Sequence, residues 1–303
     1  MLTSDGEAAS RARRLEAIPL RPVGAVTGRG ASWAAVRSIL SHREMLGLLV
    51  RRDLKARYKD SALGFLWSLI RPLIQLLIYF IVMGQFLGAA KNIPDFAVYI
   101  FAGLSAVGLF TEIVVGGTSS VLSNAGLVKK VYLPREVFPL SSVGSALFNF
   151  SIQLIVLLLA TLMVGKPPLH WELVYAVPSV LVIVIYGTAF ALLFSAVNVY
   201  LRDTQYLVEV ITMLLFWASP IVYSWAMVKT LIASPILLEA YTNNPLTLAV
   251  LGFHRAFWVA GGDIESPGGL ALRLGISVVV GLVLLILCHR VFVRLQGNFA
   301  QEL

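Results

Sequence analysis

Six long stretches almost free of charge constrain this chain more than any other feature. Pro72 to Ala90 runs 19 residues without a charged side chain, and Val137 to Gly165 and Leu173 to Leu201 run 29 each. Phe96 to Val128 carries only Glu112, Thr204 to Val228 only Glu209, and Pro267 to His289 only Arg273. About 20 apolar residues in a helix cross the hydrocarbon core of a bilayer, so each stretch is long enough to span. In lipid the backbone must satisfy its own hydrogen bonds, which favours helices. The expected fold is therefore all-α, an integral membrane protein of six transmembrane helices. Charged residues are 13% of the chain against roughly 25% in soluble domains, too few to cover a water-soluble surface of this size.

Six crossings put both termini on one side. With both inside, 19 of the 24 Lys and Arg residues flank the inner face, while Lys91, Lys166, Lys229, Arg255 and Arg273 flank the outer one. The positive-inside rule then makes both termini cytosolic. Residues 1–32, rich in Arg, Ala, Gly and Ser, read as a disordered cytosolic tail, and residues 61–303 as the six-span domain. The N-terminus lacks a signal-peptide pattern, so the first internal span would direct insertion. The single cysteine, Cys288, excludes an intrachain disulfide and a multi-cysteine metal site. The net charge of +8 sits on membrane flanks, and no nucleic-acid partner, metal or catalytic residue is expected.

The outer segment before the last span, about 226–266, contains Ala240 to Phe253, uncharged for 14 residues. That is too short to cross and suits a re-entrant or interfacial helix. Asn243-Asn244-Pro245 is a good helix start, an Asn cap with Pro in the first turn. Ser219-Pro220 should break the fifth span near its outer end. Backbone freed at that depth is tolerated only against protein or a water-filled cavity, so an outer vestibule is expected there.

Residues 33–60 form a basic amphipathic pattern. At 100° per residue Leu46, Val50 and Leu54 share one direction, while Arg51, Arg52, Lys55 and Lys59 gather opposite. Such a helix lies flat on the cytosolic membrane surface, its cations toward phosphate head groups. Arg57 falls on the apolar side, where it needs a carboxylate, a phosphate or a helix end. A lipid-linked pyrophosphate and a neighbouring subunit are both candidates.

The run Arg52-Asp53-Leu54-Lys55-Ala56-Arg57-Tyr58-Lys59-Asp60-Ser61-Ala62-Leu63-Gly64-Phe65-Leu66-Trp67, with Arg71-Pro72, resembles the lead-in to the first span of polysaccharide-exporting ABC permeases of the Wzm/TagG type. Asn124 to Glu136 is similar to that family's loop after span two. Tyr200-Leu201-Arg202-Asp203-Thr204, Ser219-Pro220-Ile221-Val222-Tyr223 and Asn244-Pro245 with Arg255 follow in the family's order. The resemblance covers residue 35 to the C-terminus and departs in the long N-terminal tail and in Gln301.

The resemblance implies a homodimer in a bacterial cytoplasmic membrane, paired with two copies of a separate ABC ATPase. Its cargo would be a polyprenyl-pyrophosphate-linked polysaccharide of O-antigen, teichoic-acid or galactan type. A coupling helix at about 124–134 would seat in the ATPase through Asn124, Leu127, Lys129, Lys130, Tyr132, Pro134 and Arg135. Arg52, Lys55, Arg57, Tyr58 and Lys59 would receive the substrate and its pyrophosphate. Spans one and five would line the channel, with Phe65, Trp67, Tyr79, Phe216, Trp217, Tyr223 and Trp225 as candidates. Aromatic planes suit sugar C–H faces, although Trp and Tyr also gather at any bilayer interface.

This chain carries no cofactor of its own. A phosphate-cradling loop needs Gly-x-x-x-x-Gly-Lys-Ser/Thr, whereas Gly165-Lys166 runs into Pro167, so ATP and Mg would belong to the partner. A membrane enzyme acting on lipid-linked sugars would need clustered carboxylates or histidines, and the inner loops offer only isolated Glu136 and Asp203. An ABC permease for drugs or small lipids shares the span layout, and cargo identity separates it from a glycan exporter.

Overall fold

The computed structural model describes residues 43–58, 66–91, 93–130, 133–262 and 264–303. The tail 1–32, the start of the amphipathic segment, Lys59, Phe65 and Tyr132 lie outside the described residues. The chain is all-helical among the described residues. In order, α1 is Arg43–Tyr58, α2 Trp67–Ile78, α3 Phe96–Ser123, α4 Ala125–Lys130, α5 Val137–Met163 and α6 Ala176–Tyr200. Then come α7 Thr204–Trp217, α8 Trp225–Leu231, α9 Pro235–Thr242, α10 Pro245–Phe257, α11 Leu270–Leu295 and the short α12 Phe299–Glu302. Among the described residues, five segments have the length and apolarity to cross a bilayer: Trp67–Phe86, Phe96–Ser123, Val137–Met163, Trp171–Tyr200 and Leu270–Asn298.

α3 is the central pillar. Its side chains from Phe96 to Val121 are mostly buried among α5, α6, α7 and α10. Small residues set how closely these helices approach, as they do where lipid leaves no hydrophobic drive between helices. A Cβ at Gly117 would collide with that of Ala191 on α6, and one at Gly252 of α10 would collide with the Ser179 hydroxyl. By contrast, α2 buries none of its side chains, and the π-helical turns Tyr79–Phe86 that continue it bury only Gly84.

The fifth apolar stretch departs from the expected single helix. α7 ends at Trp217 after 14 residues, and the chain runs non-helically through 218–224 before α8. Pro220 cannot donate to the ladder and clashes with the preceding turn, so the break falls at Ser219-Pro220, as the sequence indicates. The freed groups are satisfied inside the protein. The Tyr99 hydroxyl reaches the carbonyl oxygens of Pro220 (2.9 Å) and Tyr223 (2.7 Å), and Ser219 Oγ donates to the Leu215 carbonyl (2.8 Å).

Two tethers fix the depth this stretch covers. Asn198 Nδ2 donates to the Thr118 carbonyl of α3 (3.1 Å) just before the turn into α7, and Tyr99 holds the other end. Thr118 and Tyr99 are about 28 Å apart along α3 at 1.5 Å per residue. α7 and its non-helical extension together traverse that depth.

Beyond Pro220 the chain builds an outer cap of α8, α9 and α10. Asn244 caps α10 by accepting from Leu246 N (3.0 Å) with Pro245 in the first turn, the arrangement its sequence indicates. α10 is 13 residues long, too short to cross, and almost wholly buried against α3, α6 and the turn Trp171–Tyr175. At the opposite end a second core joins Leu49 of α1, Val128 of α4, Phe138 of α5, Val199 of α6 and Phe292 and Phe299 near the C-terminus.

Candidate functional site

A groove of about 660 Å³ opens between α2, α3, α5 and α7. Its walls carry Arg71 and Gln75 from α2, Ser105, Thr111 and Glu112 from α3, Gln153 from α5, and Phe216 from α7. Charged and amide side chains inside a membrane helix are costly unless they face protein or water, and so mark a site by default. Glu112 is held in place by the Asn149 amide, whose Nδ2 donates to Oε1 at 2.6 Å. Phe216 closes one side, its ring 6.1 Å from Tyr79 and 5.4 Å from Trp217.

The aromatics named as channel candidates separate into groups. Phe216 lines the groove, Tyr79 packs behind its ring, and Trp217 sits beside Phe216 with half its surface exposed. Trp67 is exposed at the far end of α2. Tyr223 turns its hydroxyl back to the Trp217 carbonyl (2.7 Å). Trp225 lies in the outer cap, buried, with its Nε1 donating to Thr242 Oγ1 (3.0 Å). Sequence reasoning named Arg71 only as part of the motif before the first span, and passed over Gln75 and Gln153. The signal was present, because Gln75 and Gln153 are polar residues inside the stretches 72–90 and 137–165, but a search for charges skips uncharged amides.

At the other end, residues assigned to different roles are joined. Arg52 Nη2 donates to Asn124 Oδ1 (2.7 Å) and pairs with Asp53 (2.7 Å), and Ser141 Oγ donates to Asp53 Oδ2 (3.3 Å). Asn124 Nδ2 donates to the Ser120 carbonyl (2.8 Å), which aims its Oδ1 at Arg52. Val50 packs onto Gly144 of α5, where a Cβ would come within 2.7 Å. Lys129 and Lys130 are exposed at the end of α4, and Lys55 is exposed on α1. Leu127 packs against the second core, Pro134 accepts from Val137 N (3.1 Å), and the Arg135 guanidinium lies 5.7 Å over the Phe299 ring. Arg57 and Tyr58 belong to the last turn of α1.

The outer end is cross-braced by ion pairs. Lys166 meets Asp95 (2.8 Å), Arg273 chelates Glu239 (2.6 and 3.0 Å), Lys229 pairs with Glu265, and Arg255 pairs with Glu172. The hydrogen bond from Arg273 holds the Glu239 carboxyl below the usual carboxylate range. His254 of α10 stacks on Tyr99 (3.9 Å between ring centres), and its Nε2 lies 3.1 Å from the Tyr99 carbonyl oxygen. Burial pushes the His254 imidazole down to about 3, so it is neutral and donates that bond.

A helical membrane body with a polar groove among apolar spans is the form of a transport subunit. The chain belongs to the ABC-2 type transporter family, whose model matches residues 44–258. It is 30% identical over 268 residues to the O-antigen export system permease protein RfbA of Myxococcus xanthus, covering 88% of this chain and 98% of that one. Two Klebsiella pneumoniae proteins of the same description are 29% and 28% identical, each over 86% of this chain and 95% of their own length.

Proposed function

We propose that this chain is the membrane subunit of an ATP-driven exporter that moves a lipid-linked polysaccharide across the bacterial cytoplasmic membrane. The cargo class is a glycan of O-antigen, teichoic-acid or galactan type on a polyprenyl pyrophosphate. The observation that carries the reading is the groove, where amides, hydroxyls and aromatic rings line an intramembrane path whose walls carry only two charged side chains, Arg71 and Glu112. A polymer of repeating hydroxylated units slides best over such contacts. The relatives named for O-antigen export support the same class.

The chain works as a homodimer with two ATPase subunits that bind ATP and Mg. The exposed apolar faces of α2 (Leu73, Ile74, Leu77) and α7 (Leu207, Val210, Leu214) flank the groove, so a second copy there would enclose it. Six crossings, five long helices plus the broken α7 stretch, keep both termini cytosolic. The charge pattern supports that orientation, since four of the five outer basic residues are paired with carboxylates while Lys129 and Lys130 stand exposed at the opposite end. ATP-driven motion enters through α4 and the residues around it.

Depletion of the chain in its host tests this. Completed lipid-linked glycan should build up in the inner leaflet while surface polymer falls. An unchanged glycan pool would remove the polysaccharide reading and leave an exporter of small lipids or drugs.

A further inference from the structure

A second cavity, of about 260 Å³, lies under the outer cap, apart from the groove. It is bounded by the turn that begins at His170, the end of α10, and the segment that leads into α11. Trp225 and Trp258 form part of its wall, and both indole N–H groups are spent elsewhere, on Thr242 and on the Pro94 carbonyl (2.7 Å). What the two rings leave to the cavity is apolar surface.

The polar groups are the reverse case. Both ring nitrogens of His170 are buried without a hydrogen-bond partner, the nearer one 3.8 Å from the Glu172 carboxylate. Buried polar atoms are nearly always paired, so two orphan nitrogens on one ring facing a cavity point to a missing partner. Glu172 and Arg255 neutralise one another, which leaves no free charge to hold a phosphate or carboxylate. The hydroxyls of Ser224 and Ser266 complete the rim.

We propose that this cavity binds a single sugar ring. A pyranose presents hydroxyls that both donate and accept around an apolar C–H body. The wall offers the complement: a carboxylate acceptor, guanidinium and hydroxyl donors, an unpartnered imidazole and indole surface. The volume falls just below the roughly 300–1,000 Å³ of drug-sized sites, which fits one ring rather than an oligosaccharide. Tyr99 lines the same cavity and anchors the carbonyls of Pro220 and Tyr223, the segment that follows Phe216 of the groove. A ring bound here is therefore one side chain away from the outer end of the path. The assignment of that ring to exported glycan rests on the export reading above, whereas the cavity's chemistry does not.

Titration of the full chain in nanodiscs with methyl pyranosides of glucose, galactose, mannose, rhamnose and N-acetylglucosamine tests it, read by tryptophan fluorescence. At least one glycoside should give a saturable change in the millimolar range. His170→Ala, which removes no existing hydrogen bond, should weaken it about fivefold, the worth of one such bond. Glu172→Gln provides a second variant, with thermal unfolding in the same nanodiscs to establish that both fold. A flat titration for every glycoside, or equal binding by both variants, would overturn the proposal and leave the cavity to water. Competition by purified lipid-linked glycan would identify the exported chain as the source of the ring, and its absence a free saccharide. If glycosides bind but depletion traps no glycan inside, only the export reading falls.

Discussion

Arg52 invites two opposed explanations that one double-mutant cycle separates. The sequence groups it with the cations that would meet a pyrophosphate, yet its guanidinium is bonded to Asn124 at the corner between α3 and α4. If Arg52 acts by positioning α4, then Arg52→Ala and Asn124→Ala remove the same interaction. A hydrogen bond to a charged group is worth about 1.5–3 kcal/mol when buried. The Arg52 side chain is 44% exposed, so solvent screening reduces that to about 1 kcal/mol, or roughly fivefold. The assay is glycan exported per ATP hydrolysed, in proteoliposomes holding the complete transporter. Each single variant should lose about fivefold in that ratio, and the double variant should lose no more than either. Independent effects that multiply to about 25-fold, with the loss from Arg52→Ala appearing in the KM for the lipid-linked substrate, would refute positioning and restore the pyrophosphate role.

Three further outcomes follow from the geometry. Gly117→Val should lower the unfolding temperature in detergent by overpacking against Ala191, a cost of about 1–3 kcal/mol, while Gly126→Val, with open space around it, should show no such clash. His254 is neutral in the closed cap but has an ordinary value near 6.5 once exposed, so the opened state binds the extra proton. Closure of the cap should therefore weaken as pH falls from about 6.5 toward 3 and stay constant above 7, seen as lower protection factors in α10 (the intrinsic amide exchange rate at each pH divided by the observed one) at pH 5 than at pH 7.5, and His254→Gln should flatten that dependence. Gln153→Leu should leave thermal stability within about 0.5 kcal/mol, because the residue faces the groove, yet reduce export several-fold; unchanged export would remove the groove from the path.

What was legible in the sequence was what depends on composition along one helix. The long uncharged stretches became helices, and the Asn244-Pro245 start and the Ser219-Pro220 break fell where local stereochemistry requires them. What was not legible depends on which faces meet. Nothing local in Arg52 reveals that Asn124, 72 residues away, will take its guanidinium. Trp225 and Phe216 carry the same aromatic signal in sequence, yet one packs in the outer cap and the other in the groove, because the chain turns at Pro220 between them. His170 illustrates the same limit, since its two unpartnered nitrogens become informative only once the cavity around them is built.

The uneven burial of the helices also bears on which parts move. Interiors this tightly packed do not deform gradually; they shift as bodies along weakly packed seams. α3, α6, α10 and α11 interlock through small residues and buried rings, with Gly281 of α11 pressed so closely on Tyr186 that a Cβ would come within 2.6 Å. α2 buries no side chain of its own, and only Val208, Thr212 and Thr204 of α7 are buried. The seams therefore run along α2 and α7, the two walls that carry Arg71, Gln75 and Phe216. α1 is bonded to Asn124 beside α4 and packs on α5, which in turn touches α2, so a displacement of α4 has a short mechanical route to one wall of the groove. Its route to the other wall runs through the second core to Val199 and the turn into α7. Both routes start from the same corner, between α3 and α4, and end on the two least buried walls of the groove.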